Sequence, residues 1–292
     1  MSKTMQGWLL CLPALFVFGL FYIGPTIVGL LFSFTNWDGV KPAQFIGLAN
    51  YIELFSSGRY WDDFVINSLF AAAIIVLEIP LALFLALGLS IAGPGIVFFR
   101  TAFFLPQALS ITVAALIWRF AYEPSVGLVN RIFEAIGLSS FTAVWLGETD
   151  TALAAVTVSF MWWTFGFFTI LFIAGLSGIP SMYFEAFRLE SDRWYQELRF
   201  VTVPLLRETL LIAFAMAISN AFGFAIGYFE LLTHGGPAGS TELLGLFASS
   251  TALLGRRFGF SSAITMTMLL LVLAIVIGPI LYIARERLEY SQ

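Results

Sequence analysis

Charge is what this chain has least of. Asp, Glu, Lys and Arg make up 11% of its 292 residues against 60% apolar, and its mean hydropathy is +0.93. So little polar surface cannot cover a soluble globule of this size, which leaves a polytopic membrane protein. The net charge of −4 is spread along the loops, so nothing points to nucleic acid or to a polybasic grip on anionic lipid. Cysteine is reduced to Cys11, inside the first apolar run, which excludes an intrachain disulfide and a cysteine-rich metal site. The single histidine, His234, has no second histidine with which to share a metal. Lysine occurs only as Lys3 and Lys41, after Ser2 and Val40 rather than after the glycine of a phosphate-binding P-loop, so ATP is not bound by that route. An intramembrane enzyme lacks a base and a nucleophile together inside the apolar runs; Ser110, Ser159 and Ser219 are expected to bond to their own helix backbone.

What the chain does have is long apolar runs. Six are long enough to cross about 30 Å of hydrocarbon: residues 7–34, 64–92, 97–120, 151–176, 205–232 and 261–284. The expected fold is therefore all-α, a single membrane domain of six transmembrane helices over residues 1–292. The first run is about twice the length of a signal-peptide core and has no clean small-residue cleavage site before Trp37, so it reads as a retained helix bent at Pro13 and Pro25. An even number of spans puts both termini on one side, and eight Lys and Arg residues then fall on that side against six on the other. This bias places the termini and residues 181–204 in the cytoplasm. The three long outer loops, 35–63, 121–150 and 233–260, are expected to hold short helices on the membrane surface, and Gly93-Pro94-Gly95 reads as a tight inner turn.

Residues 181–204 are the one strongly charged stretch. Apolar Tyr183, Phe184, Phe187, Trp194, Tyr195, Leu198 and Phe200 are interleaved with Glu185, Arg188, Glu190, Asp192, Arg193, Glu197 and Arg199, the pattern of two short amphipathic helices with Ser191 at the turn between them. Composition alone fits a merely solvated loop equally well. The order Glu185-Ala186-Phe187, Ser191 and, nine residues on, Val201-Thr202-Val203-Pro204 resembles the EAA loop of binding-protein-dependent ABC importer permeases. Phe187 and Ser191 stand where that family usually has a second alanine and a glycine.

A second likeness is Leu232-Thr233-His234-Gly235-Gly236-Pro237 with Thr241, which is similar to a signature of the carbohydrate-type permeases. Other pieces agree in order: Ser33-Phe34-Thr35-Asn36-Trp37, Ile46-Gly47-Leu48-Ala49-Asn50-Tyr51, Phe104-Leu105-Pro106, Gly127-Leu128-Val129-Asn130 and Phe258-Gly259-Phe260-Ser261-Ser262-Ala263. The chain is identified as resembling the six-span, first-permease type of the sugar importers, with the type I ABC importer permease fold. Between Pro204 and Thr233 it is one residue longer than that family usually is.

The resemblance implies a membrane-spanning permease subunit of an ATP-driven sugar importer, with no enzymatic activity of its own. Implied partners are a second permease, two ATPase subunits that carry the ATP and magnesium, an extracytoplasmic binding protein and the bilayer of a bacterial or archaeal cytoplasmic membrane; this chain itself is expected to hold no cofactor and no metal. Phe184, Glu185, Ala186, Phe187, Arg188 and Ser191 are the expected ATPase-coupling residues, with Glu185 and Arg188 close enough on one face to pair with each other or to meet the ATPase. Trp163, Phe167, Asn220, Phe224 and Tyr228 are the candidates for the substrate pathway, since aromatic faces and amides suit a polyhydroxylated ligand; any single aromatic here is more often interhelical packing. The basic candidates Arg119 and Arg207 sit at helix ends, which favours a neutral sugar or glycosidic small molecule over an anion. Glu78, well inside the second run, opens the rival reading of an ion- or proton-coupled secondary transporter, against which stands a helix-to-helix hydrogen bond.

Overall fold

The structure, a computed structural model, describes residues 3–90 and 95–290. Of the turn expected at Gly93-Pro94-Gly95 only Gly95 is among them, with a left-handed φ of 89° ahead of the helix Ile96–Phe104. The described residues form helices joined by loops, with one isolated antiparallel bridge between Thr35 and Phe45. A chain in hydrocarbon must satisfy every backbone group from within, and helices do so residue by residue.

Four helices are each long and apolar enough to cross a membrane: Leu10–Ser33, Gly58–Ser90, Thr149–Ser177 and Phe258–Pro279. Two further candidates are bent pairs, Val97–Ala108 with Ile111–Ala121 at 97° and Trp194–Leu205 with Arg207–Phe224 at 74°. The third run is thus not the single rod read over residues 97–120. Pro106 opens a short 3-10 turn, Leu105–Ala108, and the Ser110 hydroxyl accepts the Val113 N–H at 3.3 Å to start a new helix. The second span begins at Gly58 rather than at residue 64. Each of the three long loops does contain a short helix: Ala49–Ser56, Leu128–Ala135 and Leu244–Leu253.

Four stretches of five residues wind more widely, as π-helix: Gly19–Ile23, Ile74–Glu78, Leu198–Thr202 and Asn220–Phe224. The first three end two residues before Pro25, Pro80 and Pro204. A helix-interior proline lacks its N–H and crowds the carbonyl four residues back; a wider turn just ahead relieves the crowding without ending the helix. The fourth contains Gly223 and no proline.

The chain divides into two compact units, Met1–Asp62 with Leu244–Leu271, and Asp63–Leu243 with Val272–Gln292. In the first, three scattered sequence pieces form one knot. Asn50 donates to the Ser33 and Thr35 carbonyls, both at 2.8 Å, and the Ser33 hydroxyl meets the Tyr51 hydroxyl at 2.7 Å. Trp37 stacks on Phe32 with ring centres 4.2 Å apart and leans on Phe258, while its carbonyl accepts the Gly259 N–H at 3.0 Å. Gly259 is there because a Cβ would lie 2.0 Å from the Thr35 carbonyl oxygen. By contrast the apolar side chains of the first helix are open, Leu10 at 82% and Phe16 at 69%, as befits a face meant for lipid.

The second unit is built on Thr149–Ser177, whose Phe160, Phe168 and Phe172 are fully buried. Lipid tails are as apolar as these rings, so close packing rather than escape from water holds such helices together. Gly166 permits it: a Cβ would lie 2.2 Å from the Phe103 carbonyl oxygen. Buried Asn130 ties the loop that precedes this helix. It donates to the Pro124 and Ala143 carbonyls and accepts from the Ala143 N–H and, at 2.6 Å, from the Trp145 indole.

Candidate functional site

The charged segment folds as the alternation of its residues requires. Pro180, extended at ψ 138°, is the N-cap of the helix Ser181–Arg188; the chain then turns and runs through Trp194–Glu197 into the π turn that ends before Pro204. Ser191 forms the bend. Its hydroxyl donates to the Gln196 side chain and accepts the Arg193 N–H at 3.3 Å, and its φ is not positive. A glycine is therefore not required here, and serine closes the turn with its own side chain.

The two short helices are clipped together by Arg188, whose Nε and Nη2 donate to the Glu197 carboxylate at 2.9 and 3.2 Å. The pairing of Arg188 with Glu185 that the spacing allowed is not the one formed. Hydrogen bonding to Glu197 raises the Arg188 guanidinium above its usual value, with Glu185 adding a smaller push. The Glu185 side chain makes no hydrogen bond among the described residues. Glu185, Ala186 and Arg188 are exposed, whereas Phe184, Phe187 and Ser191 are half-buried. Met182 at 64%, Leu189 at 90% and Trp194 at 68% add exposed apolar surface to this compact hairpin. Charged and apolar groups are thus held out on a short stiff element, a form suited to docking in a cleft.

Of the five pathway candidates three come together. Trp163 lies nearly parallel to Phe224 and Tyr228, with ring centres 5.7 and 6.1 Å away, and its indole N–H donates to the Leu109 carbonyl at 3.1 Å, beside the break in the third run. Trp163 and Tyr228 are buried, and Phe224 is 56% exposed, so the stack offers its open end at Phe224. Asn220, half-buried, begins the π turn that ends at Phe224. Phe167 is not in the stack; its ring meets Phe168.

Glu78 is fully buried and Thr164 donates to its Oε1 at 2.6 Å, a bond from one helix to another. This is the glue role, and the ion-coupled reading finds no support. His234 is the left-handed C-cap residue of the helix Ile226–Thr233, with its ring 3.3 Å from Glu230. The loop after it is pinned by buried Thr241, which donates to the Gly236 carbonyl at 2.6 Å and meets the Thr233 hydroxyl at 2.7 Å. The glycine-rich motif is thus a shaped loop. Sequence reasoning passed over Asn67, which is fully buried and donates to the Ala221 carbonyl at 2.6 Å. The signal was available: an amide in an apolar run, the same ground on which Asn220 was singled out.

No family model matches the chain. It is 36% identical over 272 residues to the probable ABC transporter permease protein YurN of Bacillus subtilis, covering 92% of each chain. It is 31% identical to the trehalose/maltose transport system permease protein MalF of Thermococcus litoralis, covering 94% of this chain and 92% of the relative. Its fold matches a subunit of a bacterial alginate ABC transporter solved with an alginate pentasaccharide-bound periplasmic protein, with a TM-score of 0.80, 20% identity and coverage of 95% and 93%. The chain therefore belongs to the ABC transporter permease family, among the membrane subunits of sugar transport systems.

Proposed function

We propose that this permease is one half of the pathway of an ATP-driven importer for a neutral sugar or glycosidic small molecule. It pairs with a second permease, two ATPase subunits that hold ATP and magnesium, and an extracytoplasmic binding protein, in a bacterial or archaeal cytoplasmic membrane with both termini inside. The observation that carries the coupling role is the clipped hairpin of residues 181–204. Closed by Arg188 and Glu197 and bent at Ser191, it transmits a push as one body. Phe184 and Phe187 anchor it in a cleft of the ATPase, Ala186 leaves room for close approach, and exposed Glu185 meets a basic partner there.

Cargo passes the open end of the aromatic stack. Phe224 gives a flat apolar face to a sugar ring and Asn220 donates to and accepts from its hydroxyls, while buried Trp163 and Tyr228 back the ring that makes contact. Phe167 lies further along the Thr149–Ser177 helix as a second wall of the same route. ATP closing the ATPase pair drives the hairpin, and the spans rock between inward- and outward-facing states.

Purification from the native membrane in mild detergent tests the reading, with identification of what copurifies and an ATPase assay on the eluate. A second permease, an ATPase and a solute-binding protein are expected, and the sugar held by the binding protein names the cargo. A lone chain without ATPase activity, repeated under gentle conditions, would overturn the assignment.

A further inference from the structure

We propose that Asn67 is a positioning residue: it pins the π turn Asn220–Phe224 through the Ala221 carbonyl, and so sets where Asn220 and Phe224 stand. The backbone of that turn carries the argument. In an α-helix the Ala225 N–H would bond to the carbonyl of Ala221, four residues back. Here it goes to Asn220, five back, at 2.9 Å, and so the Ala221 carbonyl loses its ordinary donor. Asn67 supplies one, its Nδ2 lying 2.6 Å from that oxygen.

Both groups are fully buried, where a carbonyl without a donor is costly. The amide therefore favours the turn in this form. Proline, which accounts for the other three π turns, is absent from this one, so the wide winding here needs another cause. Asn220 and Phe224 lie at its two ends, while Ala221 and Phe222 between them are buried. Returning the turn to α winding would swing one end against the other by the share of a turn that one residue occupies, about 100°. Phe224 would then leave its place on Trp163. The functional weight of the pin rests on the pathway reading above; the pin itself does not.

A spin label tests the two separately. Gly223 is exposed and a Cβ built on it meets nothing within 4 Å, so Gly223→Cys in a Cys11→Ser background takes a nitroxide inside the turn without displacing a neighbour. In the whole reconstituted transporter, Asn67→Leu, which keeps the branched shape and removes the donor, should narrow the nitroxide spectrum. Asn67→Gln, which keeps an amide, should leave it nearer the parent. Should the leucine variant not accumulate, Asn67→Ala takes its place. An unchanged spectrum without the donor, or the same change in the glutamine variant, would overturn the pin. Asn220→Ala and Phe224→Ala, read by ATP-driven uptake of the sugar recovered with the binding protein, test the pathway alone; their failure would leave the spectral result standing.

Discussion

Reversing the charge of Glu185 separates coupling from folding because the two effects differ so much in size. Within the chain Glu185 is exposed, its side chain forms no hydrogen bond among the described residues, and it acts on Arg188 only through its charge. An exposed pair three residues apart on a helix, screened by water, contributes little. The Arg188 clip goes to Glu197 and survives the change. Insertion and thermal stability of Glu185→Lys should therefore match the parent. At a buried interface the same reversal places like charges together or strands the partner's charge, which costs about 2–5 kcal/mol. At about 1.4 kcal/mol per factor of ten, binding or coupling should fall about 30-fold or more. The assay is uptake and binding-protein-stimulated ATP hydrolysis in proteoliposomes containing the whole transporter. Wild-type uptake by a normally inserted Glu185→Lys would refute the lever.

Three further outcomes follow from packing and charge. Asn130→Ala strands the Trp145 indole and the Ala143 amide, and should lower stability by about 2–4 kcal/mol, seen as a lower unfolding midpoint in detergent; an unchanged midpoint would mean the loop is tied elsewhere. Gly259→Ala drives a methyl to 2.0 Å from the Thr35 oxygen and should cost about 1–3 kcal/mol, whereas Gly278→Ala, with open space around it, should be tolerated; equal effects in the same melting assay would contradict the knot. Hydrogen bonding to Arg257 holds the Glu53 carboxyl below its usual value of 4.5, so that its contribution is present above that pH and is lost as pH falls through the lower folded value. The stability difference between wild type and Glu53→Gln should stay flat from neutral down to about pH 5 and vanish in more acid solution; a difference that faded near neutrality would exclude this pair as its source.

Much of the architecture was legible because a bilayer demands long apolar runs, and lengths are easy to read. The break at residues 109–110 was not: an apolar composition on both sides hides a bend made by one proline and one serine cap. The hairpin was legible as two short helices, since its charges recur at helical spacing. Its true clip was not, because Arg188 and Glu197 are nine residues apart and meet only after Ser191 turns the chain. The order-dependent motifs said where to look in the first unit without saying why; their reason is spatial, Asn50, Trp37 and Gly259 meeting in one knot. Trp163 and Tyr228 show the limit of residue type as a guide, since both were named as pathway aromatics and both lie buried behind Phe224.

The knot in the first unit also orders events during synthesis. Trp37 leaves the ribosome early, but the N–H that its carbonyl accepts belongs to Gly259. At roughly 5–20 residues per second the intervening chain takes about 10–45 s to make. Over that interval the second unit, whose Asp63–Leu243 portion is contiguous, has all of that portion available to pack, while the Trp37 carbonyl waits for the donor that Gly259 brings. Until the last helix arrives the first is therefore held by the bilayer and by its short-range ties to Asn50 and Tyr51, which gives its exposed apolar side chains a task in assembly as well as in the finished subunit.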